Sequence, residues 1–82
     1  MSRYHLQYAP PADLALDSMD ASLRTRFDAG MHARLVPDPY GYDSVPIGPD
    51  EDRREATVSG VVIRYYVSRG VRTVTVVRVV YL

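Results

Sequence analysis

Residues 53–82 read RREATVSGVVIRYYVSRGVRTVTVVRVVYL, and this stretch decides the fold. It contains three runs rich in β-branched and aromatic residues, separated by Ser59-Gly60 and Arg69-Gly70. A glycine in a two-residue gap between such runs signals a tight hairpin, because the favoured two-residue turns need positive φ. Three antiparallel strands are therefore expected. A turn at Ser59-Gly60 sets Val58 opposite Val61, Ala56 opposite Ile63, Arg54 opposite Tyr65, Thr57 opposite Val62, Glu55 opposite Arg64 and Arg53 opposite Tyr66. A two-residue turn at Arg69-Gly70 would extend the register, pairing Val67 with Arg72, Tyr66 with Thr73, Tyr65 with Val74, Arg64 with Thr75 and Ile63 with Val76.

Because side chains alternate across a strand, one face collects Ala56, Val58, Val61, Ile63, Tyr65, Val67, Val74 and Val76, and has to be covered. The other collects Arg53, Glu55, Thr57, Val62, Arg64, Tyr66, Ser68, Thr73 and Thr75, a mostly polar surface open to solvent or a ligand. The cover has to come from the first half of the chain. Tyr4 to Tyr8 alternates weakly and reads as a short strand, ended by Pro10 and Pro11, which favour the first turn of a helix. Leu14 and Leu16 fall in that short helix. Ser18 or Asp20 can cap a longer one, in which Leu23, Phe27, Met31 and Leu35 recur every four residues. Gly30 inside the stripe costs about 1 kcal/mol relative to alanine unless close packing requires it. Residues 37–52, rich in proline, glycine and acids, read as a loop. The order β-α-α-β-β-β describes an α+β domain, an antiparallel sheet with two N-terminal helices packed on one face.

Eighty-two residues suffice for a single domain, 1–82, with one small core and no large enclosed pocket, so any site is an open surface. No cysteine is present, which removes disulfide and thiol chemistry. The start lacks an apolar leader and the apolar tail is broken by Arg72 and Arg78, so a soluble cytoplasmic protein without membrane contact is expected. Formal net charge is zero but unevenly placed: residues 1–52 carry four arginines against nine acids, residues 53–82 six arginines against one. Every basic residue is arginine. A guanidinium pairs phosphate oxygens two at a time and stacks on bases, so the polar sheet face suits RNA. The same residues also fit a solvated sheet on which Glu55 and Arg64 form an ordinary cross-strand pair. His5 and His32 fall on different elements without ligand spacing, and there is no phosphate-cradling loop or nucleophile elbow, so neither metal nor cofactor is expected.

The order of elements, the stretch Tyr4-His-Leu-Gln-Tyr-Ala-Pro-Pro-Ala12, Asp38-Pro39 after the second helix and the ending Thr73-Val-Thr-Val-Val-Arg-Val79 resemble the RelE/ParE superfamily of type II toxin–antitoxin toxins. The resemblance covers nearly the whole chain, with Leu23, Phe27 and Met31 on the family's apolar helix positions. It implies a small toxin neutralised by a cognate antitoxin whose tail wraps around it. In the RelE and YoeB branches it further implies mRNA cleavage in the ribosomal A site without metal or cofactor, and in the ParE branch poisoning of DNA gyrase.

Carried over residue by residue, the family's catalytic arginine position is held by Val62, with Arg64 two residues on along the same face. The family's C-terminal histidine position is Val80, while Arg78 and Tyr81 match. Metal-free RNA cleavage needs a base for the 2′-hydroxyl proton, a cation for the phosphorane charge and an acid for the leaving oxygen. On this basis Arg64, Tyr66 and Tyr81 are the expected catalytic residues, and Arg53, Arg54, Arg64 and Arg78 the expected RNA-binding ones. The expected function is ribosome-dependent mRNA cleavage, with antitoxin, ribosome and mRNA as partners. The alternative is a non-enzymatic member, either a ParE-like gyrase poison or a catalytically silent protein-binding module. The β-prone strand from Val71 to Leu82 also predicts self-association as a homodimer, or poor solubility, if its edge is unpaired.

Overall fold

The computed structural model describes residues 3–41 and 43–81. The chain runs through β1 (His5–Tyr8), α1 (Pro10–Asp17), α2 (Ala21–Gly30), β2 (Val45–Ile47), β3 (Asp50–Val58), β4 (Val61–Ser68) and β5 (Thr73–Val80). The strands form one sheet in the order β1-β5-β4-β3-β2. The α+β class and the two covering helices are as expected. The sheet is mixed, because β1 pairs parallel with β5, His5 opposite Thr73 and Tyr8 opposite Val76. β2 lies inside the segment read as a loop. It pairs antiparallel with β3 and shifts register after Pro46, a residue tolerated because β2 is an edge strand.

The first hairpin has the register dictated by its turn, with all six pairs from Val58–Val61 to Arg53–Tyr66. Ser59 and Gly60 both take positive φ, 51° and 81°, as such a turn demands. The second hairpin differs. Arg69–Val71 form a 3₁₀ turn and Arg72 closes it in the left-handed conformation at φ 48°, so the connection is longer than two residues. Val67 consequently pairs with Val74, Tyr66 with Thr75 and Tyr65 with Val76. A two-residue shift preserves the faces. A bulge then inserts Val77, so that Arg64 pairs with Arg78, Ile63 with Val79 and Val62 with Val80. That single extra residue swaps the alternation. Val79 joins the core, and Arg78 and Val80 move to the face of Arg64.

The core lies between helices and sheet, where Ala12, Leu16, Phe27, Met31 and Leu35 meet Val58, Val61, Ile63, Tyr65, Val74, Val76 and Val79. Pro10 and Pro11 open α1, and the Asp20 carboxylate caps α2 by accepting from the Ser22 and Leu23 amides at 3.1 and 3.3 Å. A four-residue repeat drifts roughly 40° per step around an α-helix. The chain corrects this drift with a π-helical turn at Met31–Leu35, closed by a 2.9 Å bond from the Val36 amide to the Met31 carbonyl. The wider turn returns Leu35 to the stripe.

Gly30 abuts the first hairpin: a Cβ there would lie 2.6 Å from Cγ1 of Val58, which is fully buried and cannot retreat. Gly30→Ala is therefore expected to lower stability by about 1 kcal/mol in a chemical denaturation, overpacking outweighing the gain in helix propensity. An alanine variant more stable than the parent would show that the hairpin yields.

Candidate nucleic-acid interface

The side of the sheet away from the helices is built from successive rows of residues crossing β3, β4 and β5, roughly 6.8 Å apart. The first row is Thr57, Val62 and Val80, the second Glu55, Arg64 and Arg78, the third Arg53, Tyr66 and Thr75. Gln7 of β1 extends the third row by donating from Nε2 to the Thr75 hydroxyl at 2.8 Å. Glu55, Val62, Arg64, Arg78 and Val80 line a shallow depression of about 230 Å³. A second, also about 230 Å³, is bordered by Ile47, Arg53, Arg64, Tyr66 and Val77. They share Arg64, so the two form one trough along β4.

Like charges placed directly opposite on neighbouring strands destabilise a sheet, and Arg64 and Arg78 are so placed. Partial compensation comes from Glu55, whose Oε1 accepts from Arg64 Nε at 2.9 Å. This leaves both terminal nitrogens of Arg64 available. Among the described residues the side chains of Arg53 and Arg78 form no hydrogen bond or ion pair. The trough thus holds three guanidinium groups against one carboxylate, flanked by an apolar step at Val62 and Val80 and an exposed aromatic one at Tyr66.

Two of the residues expected in the site lie elsewhere. Arg54 is only 7 % exposed, on the opposite side of the strand. Its guanidinium donates to the Ser44 hydroxyl at 2.9 Å and to the carbonyls of Glu51, Tyr40 and Ser44 at 2.9, 3.3 and 3.1 Å, all on the segment that leads into β3 or on β3 itself. It is a clamp for that segment, out of reach of a ligand on the trough. Tyr81 follows the core phase set by the bulge, with its hydroxyl 3.0 Å from the Ala15 carbonyl and 2.9 Å from Ser18 Oγ. It ties the end of β5 to α1. Spacing placed Glu55 correctly opposite Arg64 but did not mark it as a site residue, and it missed the reorientation of Arg78 and Val80. A signal existed in Val76-Val77, where the strict Thr-Val-Thr-Val alternation breaks.

A second polar cluster braces the rim. Tyr40 donates to Asp52 Oδ1 at 2.6 Å, Arg69 Nε donates to the same oxygen at 3.0 Å, and the Arg69 guanidinium stacks over the Tyr40 ring at 4.8 Å. These bonds hold the Asp52 carboxyl below the usual range, Tyr40 contributing most and Arg69 next. Tyr40 is pushed up to about 12 by burial and by its bond to Asp52. Tyr8 is likewise pushed up to about 12, by burial and by nearby Asp28. Burial also raises Tyr65, whose hydroxyl donates to the Pro39 carbonyl at 2.6 Å.

Tyr8 and Tyr40 favour the folded state in their neutral form, so their contribution is complete below pH 10 and is lost as pH rises through about 12. The tyrosinate absorbance that a Tyr40→Phe variant lacks should therefore appear in that window, rising together with the loss of circular dichroism. Full ionisation near pH 10 with the fold intact would contradict it.

The arrangement is that of a small α+β protein with an open, arginine-lined sheet face opposite its helices. No protein-family model matches the sequence, and no curated protein matches it. Solved structures do. The toxin–antitoxin complex RelBE2 of Mycobacterium tuberculosis superposes with a TM-score of 0.85 at 16 % identity, over 100 % of this chain and 94 % of that one. The archaeal RelE-RelB complex of Pyrococcus horikoshii gives 0.75 at 16 % identity, over 93 % and 91 %. The isolated RelE toxin of E. coli gives 0.75 at 17 % identity, over 93 % and 81 %. The chain therefore has the fold of the RelE toxins.

Proposed function

We propose that this chain is the toxin half of a toxin–antitoxin pair and that the Arg53, Arg64 and Arg78 face cleaves messenger RNA at the ribosome without a metal ion. The observation that carries this reading is the opposition of Arg64 and Arg78 on adjacent strands, with Glu55 bonded to Arg64 at 2.9 Å. An anion bridging the two guanidinium groups relieves the repulsion that the sheet alone bears. In the reaction Glu55 takes the 2′-hydroxyl proton, the 2′ oxygen attacks phosphorus, and Arg64 and Arg78 stabilise the phosphorane charge. The bond to the 5′ oxygen then breaks, leaving a 2′,3′-cyclic phosphate, and the departing oxygen takes a proton from Tyr66 or water. The antitoxin partner is supported by likeness to chains solved as RelE-RelB complexes. A ribosomal target places the protein in the cytoplasm.

The test is to add purified protein to a reconstituted translation reaction and map new mRNA 5′ ends. Cuts that require ribosomes are expected. Uncut mRNA overturns the reading in favour of a second one, supported by Val62 and Val80. These valines face each other at the two positions where the family resemblance implies an arginine and a histidine. A protein without those groups fits a non-enzymatic role, gyrase poisoning or silent protein binding, which a supercoiling assay separates.

A further inference from the structure

The trough changes chemistry in steps: apolar at Val62 and Val80, ionic at Arg64 and Arg78, aromatic at Tyr66 with Arg53 beside it. We infer that it is a dinucleotide subsite, in which the guanidinium pair holds one phosphate, one base packs on Val62 and Val80, and the other stacks on Tyr66. This rests on the RNA reading above and specifies its ligand. Val80 and Tyr66 are 44 % and 41 % exposed and lie on opposite sides of the charged row, while the more exposed Val45 stands at the far end of that row on edge strand β2, opposite Glu55. A base–phosphate–base unit has the same order, with its only full charge in the middle. Ile47 and Val77 border the aromatic step.

An extended peptide carrying an acid between two apolar residues would repeat at the same spacing, since alternate side chains of a strand are also roughly 6.8 Å apart. It fits less well. A peptide lying on the face of a sheet, away from its edges, leaves its own N–H and C=O groups without ladder partners. A nucleotide strand does not rely on ladder bonds: its phosphate oxygens pair with the guanidinium groups and its bases stack.

The experiment is a titration of the whole protein with an uncleavable 2′-O-methyl RNA dinucleotide, with the same molecule lacking one base, and with an apolar-x-Asp-x-apolar peptide. Tyr66→Ala should weaken the intact dinucleotide about tenfold, and Tyr66→Phe should restore it, because the ring face and not the hydroxyl is used. Deleting the base that meets Tyr66 should weaken binding to the parent by a similar factor and add nothing in Tyr66→Ala. Equal binding with and without the base, an indifferent Tyr66→Ala, or peptide binding tighter than the dinucleotide would overturn the inference. RNA binding lost in Arg64→Ala but untouched in Tyr66→Ala removes this subsite and leaves the RNA reading intact. No Arg64-dependent RNA binding at all removes both.

Discussion

Replacing Arg64 by alanine should slow message cleavage on the order of 10²- to 10³-fold, the usual cost of deleting one positioned charge donor. The melting temperature should barely move. The Arg64–Glu55 pair is half exposed, and such pairs contribute about 0–1 kcal/mol. Loss of the arginine also relieves the opposition to Arg78, which offsets part of even that. Arg64→Lys should sit between alanine and the parent, since an ammonium keeps the charge but cannot present two parallel donors to a phosphate. Rates would be read as ribosome-dependent cleavage under single-turnover conditions, with thermal melts in parallel. Wild-type cutting by the alanine variant would remove Arg64 from the chemistry, and a large drop in melting temperature would recast it as a structural residue.

The opposite pattern is expected for Arg54. Alanine there leaves the carbonyls of Tyr40, Ser44 and Glu51 and the Ser44 hydroxyl without their donor, and strips a cation stacked 5.5 Å from the Tyr40 ring. Hydrogen bonds to charged groups contribute about 1.5–3 kcal/mol each, but water reaches part of this segment once the side chain is gone. A net loss of about 3–4 kcal/mol is expected, a large share of the roughly 5–15 kcal/mol that holds a domain together. For a chain of this size that corresponds to a fall of about 15–25 °C in melting temperature. Lysine should recover little, because one ammonium cannot serve four acceptors set around a planar fork. A loss below about 1 kcal/mol by both denaturant and heat would show that residues 37–49 hold their place without Arg54.

The contrast between these two arginines shows where sequence patterning carries and where it stops. Strand alternation separates Arg64 and Arg53 from Arg54 correctly, because the Ser59-Gly60 turn fixes the register of the first hairpin. It cannot say that Arg54, a charged residue on the apolar side, is satisfied by carbonyls of a segment that itself looks irregular. The second hairpin misleads for a local reason. Gly70 marks the turn, yet the residue that takes positive φ is Arg72, its carbonyl held by the His5 amide at 2.7 Å and its guanidinium stacked over Tyr4 at 5.8 Å. Those contacts come from β1 and its lead-in, far away in sequence. The bulge at Val77 is likewise invisible to a rule of strict alternation. Its effect on the site is large, since it turns Arg78 toward Arg64 and takes Tyr81 away.

The parallel pairing of β1 with β5 carries a consequence for the order of synthesis. The partners Gln7 and Thr75 are 68 residues apart, so at about 5–20 residues per second the first strand waits roughly 3–14 s for its neighbour. Arg78 is made later still. No shorter nascent chain can assemble the Arg64–Arg78 pair. On the proposed reading the phosphate-binding pair is therefore incomplete while β5 is still being made, and it forms only once that strand has emerged and closed the sheet.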